Sequence, residues 1–282
     1  MRTIIVSALL LSCFTATAVS SHPAIDDQIK ALTARIADDS ADASLYLRRG
    51  ELHRIHGEWD KAERDYRAAL QLDGDLVIVE FCLGRLKLES GHAEEAKTAL
   101  DSYLARRPED ATALATRAQA SSALGNHLAA AEDYTIAIEH SRSEAPKPEY
   151  FLARARELAA AGTDHLATAI AGLDEGLEQL GHPVTLQLYA IDLELERKNF
   201  DEALRRIDRV SSESVRQEPW LVRKAAILEA AGRVAEARQV YQQTLASLDA
   251  LPATRKNNRA VVRLEDEARQ GLKRLSPEEA GP

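Results

Sequence analysis

The strongest constraint on this chain is an interval of 34 residues that recurs in several columns of its sequence at once. Three glycines, Gly57, Gly91 and Gly125, are separated by that interval, and an alanine follows each of them five residues later. Columns on either side keep the same spacing: Gly50, Gly84 and Ala118 upstream, and Tyr66, Leu100 and Tyr134 downstream. A fixed period of this length is the signature of stacked supersecondary units, each burying its apolar face against the next.

The composition indicates that each unit is helical. The chain is rich in alanine, leucine, arginine and glutamate, which lose little side-chain freedom in a helix, and aromatic residues make up only 5% of it. Alternating β-branched runs, which would indicate strands, do not occur. We therefore expect an all-α fold. The recurring glycine ends the first helix of each unit, because a left-handed C-cap needs no Cβ atom.

The recurring columns resemble the tetratricopeptide repeat (TPR). That family has a small residue in the first helix, a glycine at the turn, and an alanine and an aromatic residue in the second helix, as at Gly50, Gly57, Ala62 and Tyr66. The resemblance extends over about residues 43–249, with weaker spacing in the second half. It implies a right-handed α-solenoid of about six helix pairs with N- and C-terminal capping helices.

The period and the prolines together predict the organisation of the chain. Pro146 and Pro148, one residue apart, interrupt the array because proline cannot continue a helix. Apolar residues at helical spacing predict a further helix at each end, where a solenoid needs a cap. The predicted segments are a signal peptide at 1–20, an N-terminal capping helix at 24–42, TPR units 1–3 at 43–142, a proline-containing break at 143–148, TPR-like units 4–6 at 149–250, a C-terminal helix at 251–275 and a tail at 276–282.

The first twenty residues have the order of a secretory signal: basic Arg2, an apolar run and a tail of small residues. The apolar run is too short to span a bilayer. Two processing alternatives remain open. Ala16 to Ala18 offers an A-x-A cleavage site, whereas Leu10 to Cys13 resembles a bacterial lipobox that would leave Cys13 lipidated. We expect simple cleavage and a periplasmic or secreted protein, with an outer-membrane lipoprotein as the alternative; membrane attachment is expected only through Cys13.

The sequence offers little that could perform catalysis. It contains no glycine-rich phosphate loop, paired zinc-ligand cysteines, H-E-x-x-H motif or nucleophile elbow. His53 and His56, three residues apart, are the nearest approach to a metal site; we interpret them as one packed and one capping histidine. Cys82, within a first helix, is interpreted as an apolar filler or groove residue. We therefore expect no enzymatic activity, cofactor or metal.

Charge also limits the choice of partner. With a formal net charge of -9 and no segregated basic stretch, the chain is a poor match for a phosphate backbone, so nucleic-acid binding is not expected. In the TPR family the first helices line the concave surface. The resemblance therefore implies a partner-binding groove formed by Leu47, Arg48, Glu51, Phe81, Arg85, Gln119, Leu152, Arg156, Tyr189, Asp192 and Arg223.

Four arginines recur in this set about once per unit, and an arginine fork suits carboxylates and peptide carbonyls. The groove is therefore expected to bind a protein or peptide segment of some acidic character. Two interpretations of the arginines stay open: they bind a ligand, or they pair with scaffold carboxylates such as Glu51, Glu89, Asp192 and Glu196. The family's lysine and asparagine carboxylate clamp is absent, since Leu47 and Glu51 occupy those positions.

The predicted function is that of an exported, non-catalytic TPR adaptor or scaffold that holds a protein or peptide segment in its concave groove. One alternative is an outer-membrane lipoprotein that assists envelope, pilus or barrel-protein assembly. Another is an accessory subunit of an exported enzyme. The sequence favours no particular oligomeric state.

Overall fold

The structure, a computed structural model, describes residues 23–141 and 146–276 of the chain. The predicted signal peptide, Cys13 and all but the first residue of the predicted tail lie outside this part. The described part is all-helical, at 82% helix without strands. Its helices are α1 (Pro23–Asp38), α2 (Ala43–Ile55), α3 (Trp59–Leu72), α4 (Ile78–Glu89), α5 (Ala93–Arg106), α6 (Ala111–Ala123), α7 (His127–His140), α8 (Pro148–Ala161), α9 (Leu166–Leu180), α10 (Val184–Glu196), α11 (Phe200–Glu213), α12 (Glu218–Ala230), α13 (Val234–Asp249), α14 (Ala253–Lys256) and α15 (Arg259–Arg274).

Helices α2 to α13 follow one another as six consecutive pairs, with α1 before them and α14 and α15 after them. The predicted all-α class and the six helix pairs are confirmed. Within the described residues, no helix is both long enough and apolar enough to cross a membrane.

The chain divides into two compact units, and the boundary lies inside α4, between Leu86 and Lys87. Unit 1 ends at Leu86 and unit 2 begins at Lys87. The predicted proline-containing break falls within unit 2, where α7 ends at His140 and α8 begins at Pro148.

Two of the first helices begin at an aspartate that recurs in the repeat. The Asp42 carboxylate accepts a hydrogen bond from the backbone N–H of Ser44 (2.9 Å) at the start of α2. The Asp110 carboxylate accepts from the backbone N–H groups of Thr112 and Ala113 (3.0 Å each) at the start of α6. These bonds satisfy donors that the first turn of a helix leaves unpaired.

The core of unit 1 forms around Tyr66 of α3, which is fully buried. Gly50 of α2 lies against its ring: a Cβ atom at Gly50 would be 2.7 Å from Tyr66 Cε1, closer than carbon atoms approach. Unit 2 has a close contact of the opposite order, since a Cβ atom at Gly176 of the second helix α9 would lie 2.8 Å from the ring of Phe151 in the first helix α8. The small-residue column of the repeat is therefore required by the close approach of paired helices.

The turn between paired helices requires a backbone of positive φ. Gly57, Gly125 and Gly232 adopt φ values of 76°, 76° and 74°, as the repeat pattern predicts. In the fifth pair the corresponding residue is Lys198, which adopts φ 59° although it carries a side chain. A left-handed conformation of a residue with a Cβ atom costs about 1–2 kcal/mol, so this turn is strained.

We expect Lys198→Gly to raise the free energy of unfolding by about 1 kcal/mol. Glycine removes the backbone strain, but its greater conformational freedom in the unfolded chain offsets part of this stabilisation. Urea denaturation measures the change. The matched variant Gly232→Ala places a Cβ atom in an equivalent turn and should lower the free energy by a similar amount. A destabilised Lys198→Gly variant would contradict the assignment.

Candidate functional site

The site residues predicted in unit 1 meet at a single open groove of about 700 Å³, bounded by α1, α2 and α4. We call it the unit 1 groove. Its lining includes all five residues predicted from this part of the sequence: Leu47, Arg48, Glu51, Phe81 and Arg85. Helical spacing explains the convergence, because side chains four residues apart on a helix share a face.

The floor of the groove is apolar. Leu47 of α2 and Phe81 of α4 are half-buried, and Ile78 is 39% exposed at the start of α4. Helix α1 adds Leu32 and the exposed Arg35 to the lining. The sequence predicted α1 only as a cap, so its contribution to the groove was missed. The available signal was its apolar stripe: Ile36 alone of that stripe is buried, so Leu32, one turn earlier, is left to line another surface.

The carboxylate of Glu51 is held by the scaffold. It accepts hydrogen bonds from the hydroxyl of Tyr66 and from Arg54 Nη2 (3.1 Å), and Arg85 Nη1 lies 3.8 Å from it. Burial raises the pKa of Glu51, but the bonds from Arg54 and Tyr66 outweigh this effect and hold the pKa below its usual value. Glu51 therefore lines the groove as an ionised group that is already paired.

The neighbours of Glu51 are held in their neutral forms. Burial raises the pKa of the Tyr66 hydroxyl, and its bond to Glu51 raises it further. Burial, reinforced by the charge of Glu51, raises the pKa of the Cys82 thiol to about 12. Because the thiolate is the reactive form of cysteine, Cys82 is a neutral, unreactive part of the groove floor.

The arginines of the groove differ in how they are engaged. Arg85 faces Glu51, and its guanidinium lies 5.6 Å from the centre of the Phe81 ring. Arg48 and Arg35 are exposed, and neither side chain forms a hydrogen bond or ion pair with any residue that the structure describes. Internal pairing thus accounts for Arg85 but not for Arg48.

The remaining predicted groove residues lie on first helices of unit 2. Gln119 is on α6, Leu152 and Arg156 are on α8, Tyr189 and Asp192 are on α10, and Arg223 is on α12. The guanidinium of Arg156 lies 5.8 Å from the centre of the Tyr189 ring, within the range of a cation–π contact. Arg223 donates to the Asp192 carboxylate, so these two charges satisfy each other.

Unit 2 also contains a partly buried ion pair that was not predicted. Arg117 donates to both carboxylate oxygens of Asp133, at 2.9 and 2.6 Å, and to Asp101 at 2.8 Å. Unit 1 has the same arrangement between Arg49 and Asp65, at 2.8 and 2.7 Å. The sequence contained a signal for this ion pair, because Arg49 and Asp65 recur two repeat lengths later as Arg117 and Asp133.

The histidines of α2 serve the scaffold. His53 is buried, with Nδ1 2.5 Å from Glu58 Oε2. His56 is the C-cap that follows α2, and its ring nitrogens are buried without a hydrogen-bond partner among the described residues. Among the residues that the structure describes, no group of three or more histidine, cysteine, aspartate or glutamate side chains could hold a metal ion.

Comparison with known proteins identifies the repeat. One family model, described as the tetratricopeptide repeat, matches residues 43–76, and a second with the same description matches residues 83–146 and 188–252. Together the matches cover more than half of the 282 residues. A search of curated proteins found no match.

Solved structures share the fold at low sequence identity. A tetratricopeptide repeat protein from Parabacteroides merdae is 17% identical with a TM-score of 0.52, over 87% of this chain and 92% of that one. YrrB, described as a TPR protein with an unusual peptide-binding site, is 20% identical with a TM-score of 0.53, over 64% and 90%. A structure of Naa15/Naa10 bound to HypK-THB is 15% identical with a TM-score of 0.57, over 89% of this chain and 37% of that one.

We expect Glu51→Gln to lower the free energy of unfolding by about 1–3 kcal/mol at pH 7, because it removes a charged acceptor from Arg54 and Tyr66. The lowered pKa of Glu51 means that its contribution is present above pH 4.5, its ordinary pKa, and is lost as the pH falls through the folded-state value. The gap between wild type and variant should therefore close in acid.

Urea denaturation at pH 7 and at about pH 3 tests this expectation. The control Glu94→Gln changes an exposed carboxylate at the start of α5 and should alter stability by less than about 0.5 kcal/mol. A gap at pH 7 that persists unchanged in acid would show that the charge of Glu51 is not its source.

Proposed function

We propose that this chain, which belongs to the tetratricopeptide repeat family, is an exported, non-catalytic adaptor that holds a segment of a partner protein in the unit 1 groove. The observation that carries the proposal is an apolar floor left open to solvent beside two arginines, Arg35 and Arg48, whose side chains pair with none of the described residues. Open apolar clefts with a few convergent polar groups are the usual form of a binding site.

The floor of the groove favours a protein partner because it presents accessible apolar side chains inside a preformed cleft. Leu47, Ile78 and Phe81 come from two helices of the repeat and remain partly accessible. Contiguous exposed apolar surface on a folded protein marks sites of interaction. The volume of about 700 Å³ is sufficient for a few side chains of a bound segment.

Two of the similar structures also support a protein partner. YrrB is described as having an unusual peptide-binding site, and the other structure is described as Naa15/Naa10 bound to HypK-THB. Helical repeats present extended surfaces that are suited to such segments. The Arg156–Tyr189 surface of unit 2 offers a second platform, in which the exposed Arg156 lies beside the half-buried ring of Tyr189.

The chemistry of the groove supports a non-catalytic role. The Cys82 thiol is neutral at physiological pH, and Glu51 is an ionised, fully engaged carboxylate. His53, on α2 with Glu51, is hydrogen-bonded to Glu58. These groups do not form the nucleophile, base and oxyanion-donor set that an active site requires.

Capture of partners from an envelope extract of the source organism tests the adaptor role. The bait is the chain without its 20-residue leader, compared with the double variant Ile78→Ser/Phe81→Ser. We expect prey retained by the wild type to fall about tenfold or more on the variant, because truncating central apolar anchors commonly costs 2 kcal/mol or more.

The matched control Ile55→Ser/Leu72→Ser removes two other exposed apolar residues of unit 1, at 58% and 44% exposure, that do not line the groove. It should retain the prey. Equal loss on both variants would mean that any apolar surface suffices, and retention on both would place the partner elsewhere. Circular dichroism establishes that all the variants are folded.

Export is proposed on the order of charges and apolar residues in the first twenty positions. Simple cleavage is the favoured form, because Cys13 comes early for a lipoprotein and Leu11 is an unusual lipobox residue. We expect the tagged chain to fractionate with soluble envelope proteins, both in the wild type and in Cys13→Ser. Release from membranes only on Cys13→Ser would instead establish the lipoprotein, and retention in the cytoplasm would contradict export.

A further inference from the structure

We propose that the unit 1 groove selects a protein segment in which an acidic side chain lies next to apolar ones, and that Arg35 of α1 and Arg48 of α2 hold the carboxylate. This inference rests on the proposed function and names the class of partner. It adds Arg35, which was not among the groove residues predicted from the sequence, and so assigns a binding role to a helix outside the residues matched to the repeat.

The charges that line the groove do not balance. Its charged residues are three arginines, Arg35, Arg48 and Arg85, and one carboxylate, Glu51. The groove is therefore locally positive in a chain whose formal net charge is -9. Because Arg85 and Glu51 face each other at 3.8 Å, the excess positive charge belongs to Arg35 and Arg48.

The availability of these two arginines contrasts with that of their neighbours. Arg49, adjacent in sequence to Arg48, is fixed by two bonds to Asp65 and by a third to Thr33 (3.1 Å). Arg48 has no such partner among the described residues, and Arg35 acts on Asp42 only through its charge. A guanidinium presents a planar fork that matches a carboxylate and is weakly hydrated, so an unpaired pair of arginines suits an acidic ligand.

The apolar floor determines the rest of the ligand. Leu32 from α1, Leu47 from α2, and Ile78 and Phe81 from α4 line the same opening as the two arginines. A purely acidic segment would leave the apolar side chains of the floor exposed to water. A purely apolar segment would remove water from the arginines without supplying a negative charge. A segment that combines both satisfies the whole surface. A protein segment is favoured over a nucleic acid because phosphates alone offer nothing to the floor.

Direct binding of synthetic peptides tests the inference. The probes are three fluorescein-labelled peptides of about twelve residues: one alternates pairs of leucine and glutamate, one has lysine in place of glutamate, and one has serine in place of leucine. Fluorescence polarisation with the leaderless chain should show micromolar binding of the leucine–glutamate peptide, with both other peptides at least about tenfold weaker. Added salt should weaken the binding, since exposed charges are screened.

Three variants locate the carboxylate contact. Arg35→Gln/Arg48→Gln should weaken binding of the leucine–glutamate peptide by about 10- to 30-fold, because ion pairs at exposed positions are partly screened by solvent. The control Arg64→Gln/Arg107→Gln removes the same net charge at two exposed positions outside the groove and should change binding less than about twofold. Arg85→Gln should also have a small effect, because Glu51 already occupies that guanidinium.

Several results would overturn the inference. These are equal binding of the glutamate and lysine peptides, equal loss in both double variants, or binding that depends on Arg85 alone. Displacement of the peptide by oleate at equal concentration would instead assign the groove to a lipid carboxylate. If no peptide binds while envelope prey still depends on Ile78 and Phe81, the inference fails and the adaptor role stands; if neither is seen, both fail.

Discussion

The contact between Gly50 and the ring of Tyr66 is the constraint on which unit 1 depends. Two helices approach this closely only where one of them lacks a side chain, and the tyrosine then fills the space that remains. The same contact orients the Tyr66 hydroxyl toward Glu51, at the edge of the groove. One side chain therefore joins the core to the groove. Because the ring of Tyr66 is fixed by packing, the position of the Glu51 carboxylate that it binds is restricted as well.

The fold was predictable because its determinants are local and repeated. Gly57 and its equivalents mark the turns, and Gly50 marks the close helix contact, so spacing alone identifies the helix pairs. Lys198 shows the limit of such a pattern, since the fifth turn keeps its backbone conformation without the residue that favours it. Each unit depends mainly on its neighbours, so the array tolerates a locally strained turn.

The groove was only partly predictable. Repeat register gave the faces of α2 and α4, and therefore Leu47 and Phe81, but register does not extend to α1, which lies outside the repeat. Spacing also cannot decide whether an arginine meets a carboxylate of its own chain. Arg85 does and Arg48 does not, and the difference depends on where Glu51 lies once Tyr66 and Arg54 have bound it. That is a tertiary property, set by a side chain that is distant in sequence.

Cys82 has a consequence for the compartment in which the protein is proposed to work. Burial and the charge of Glu51 raise the pKa of the Cys82 thiol to about 12, so the thiol is neutral at pH 7. Disulfide exchange and oxidation both begin from the ionised form, so this cysteine reacts slowly with the oxidants and unpaired thiols of an oxidising environment. Among the residues that the structure describes, Cys82 is the one cysteine, and it is buried and unbridged. Its redox inertness comes from the same carboxylate and the same burial that shape the floor of the groove.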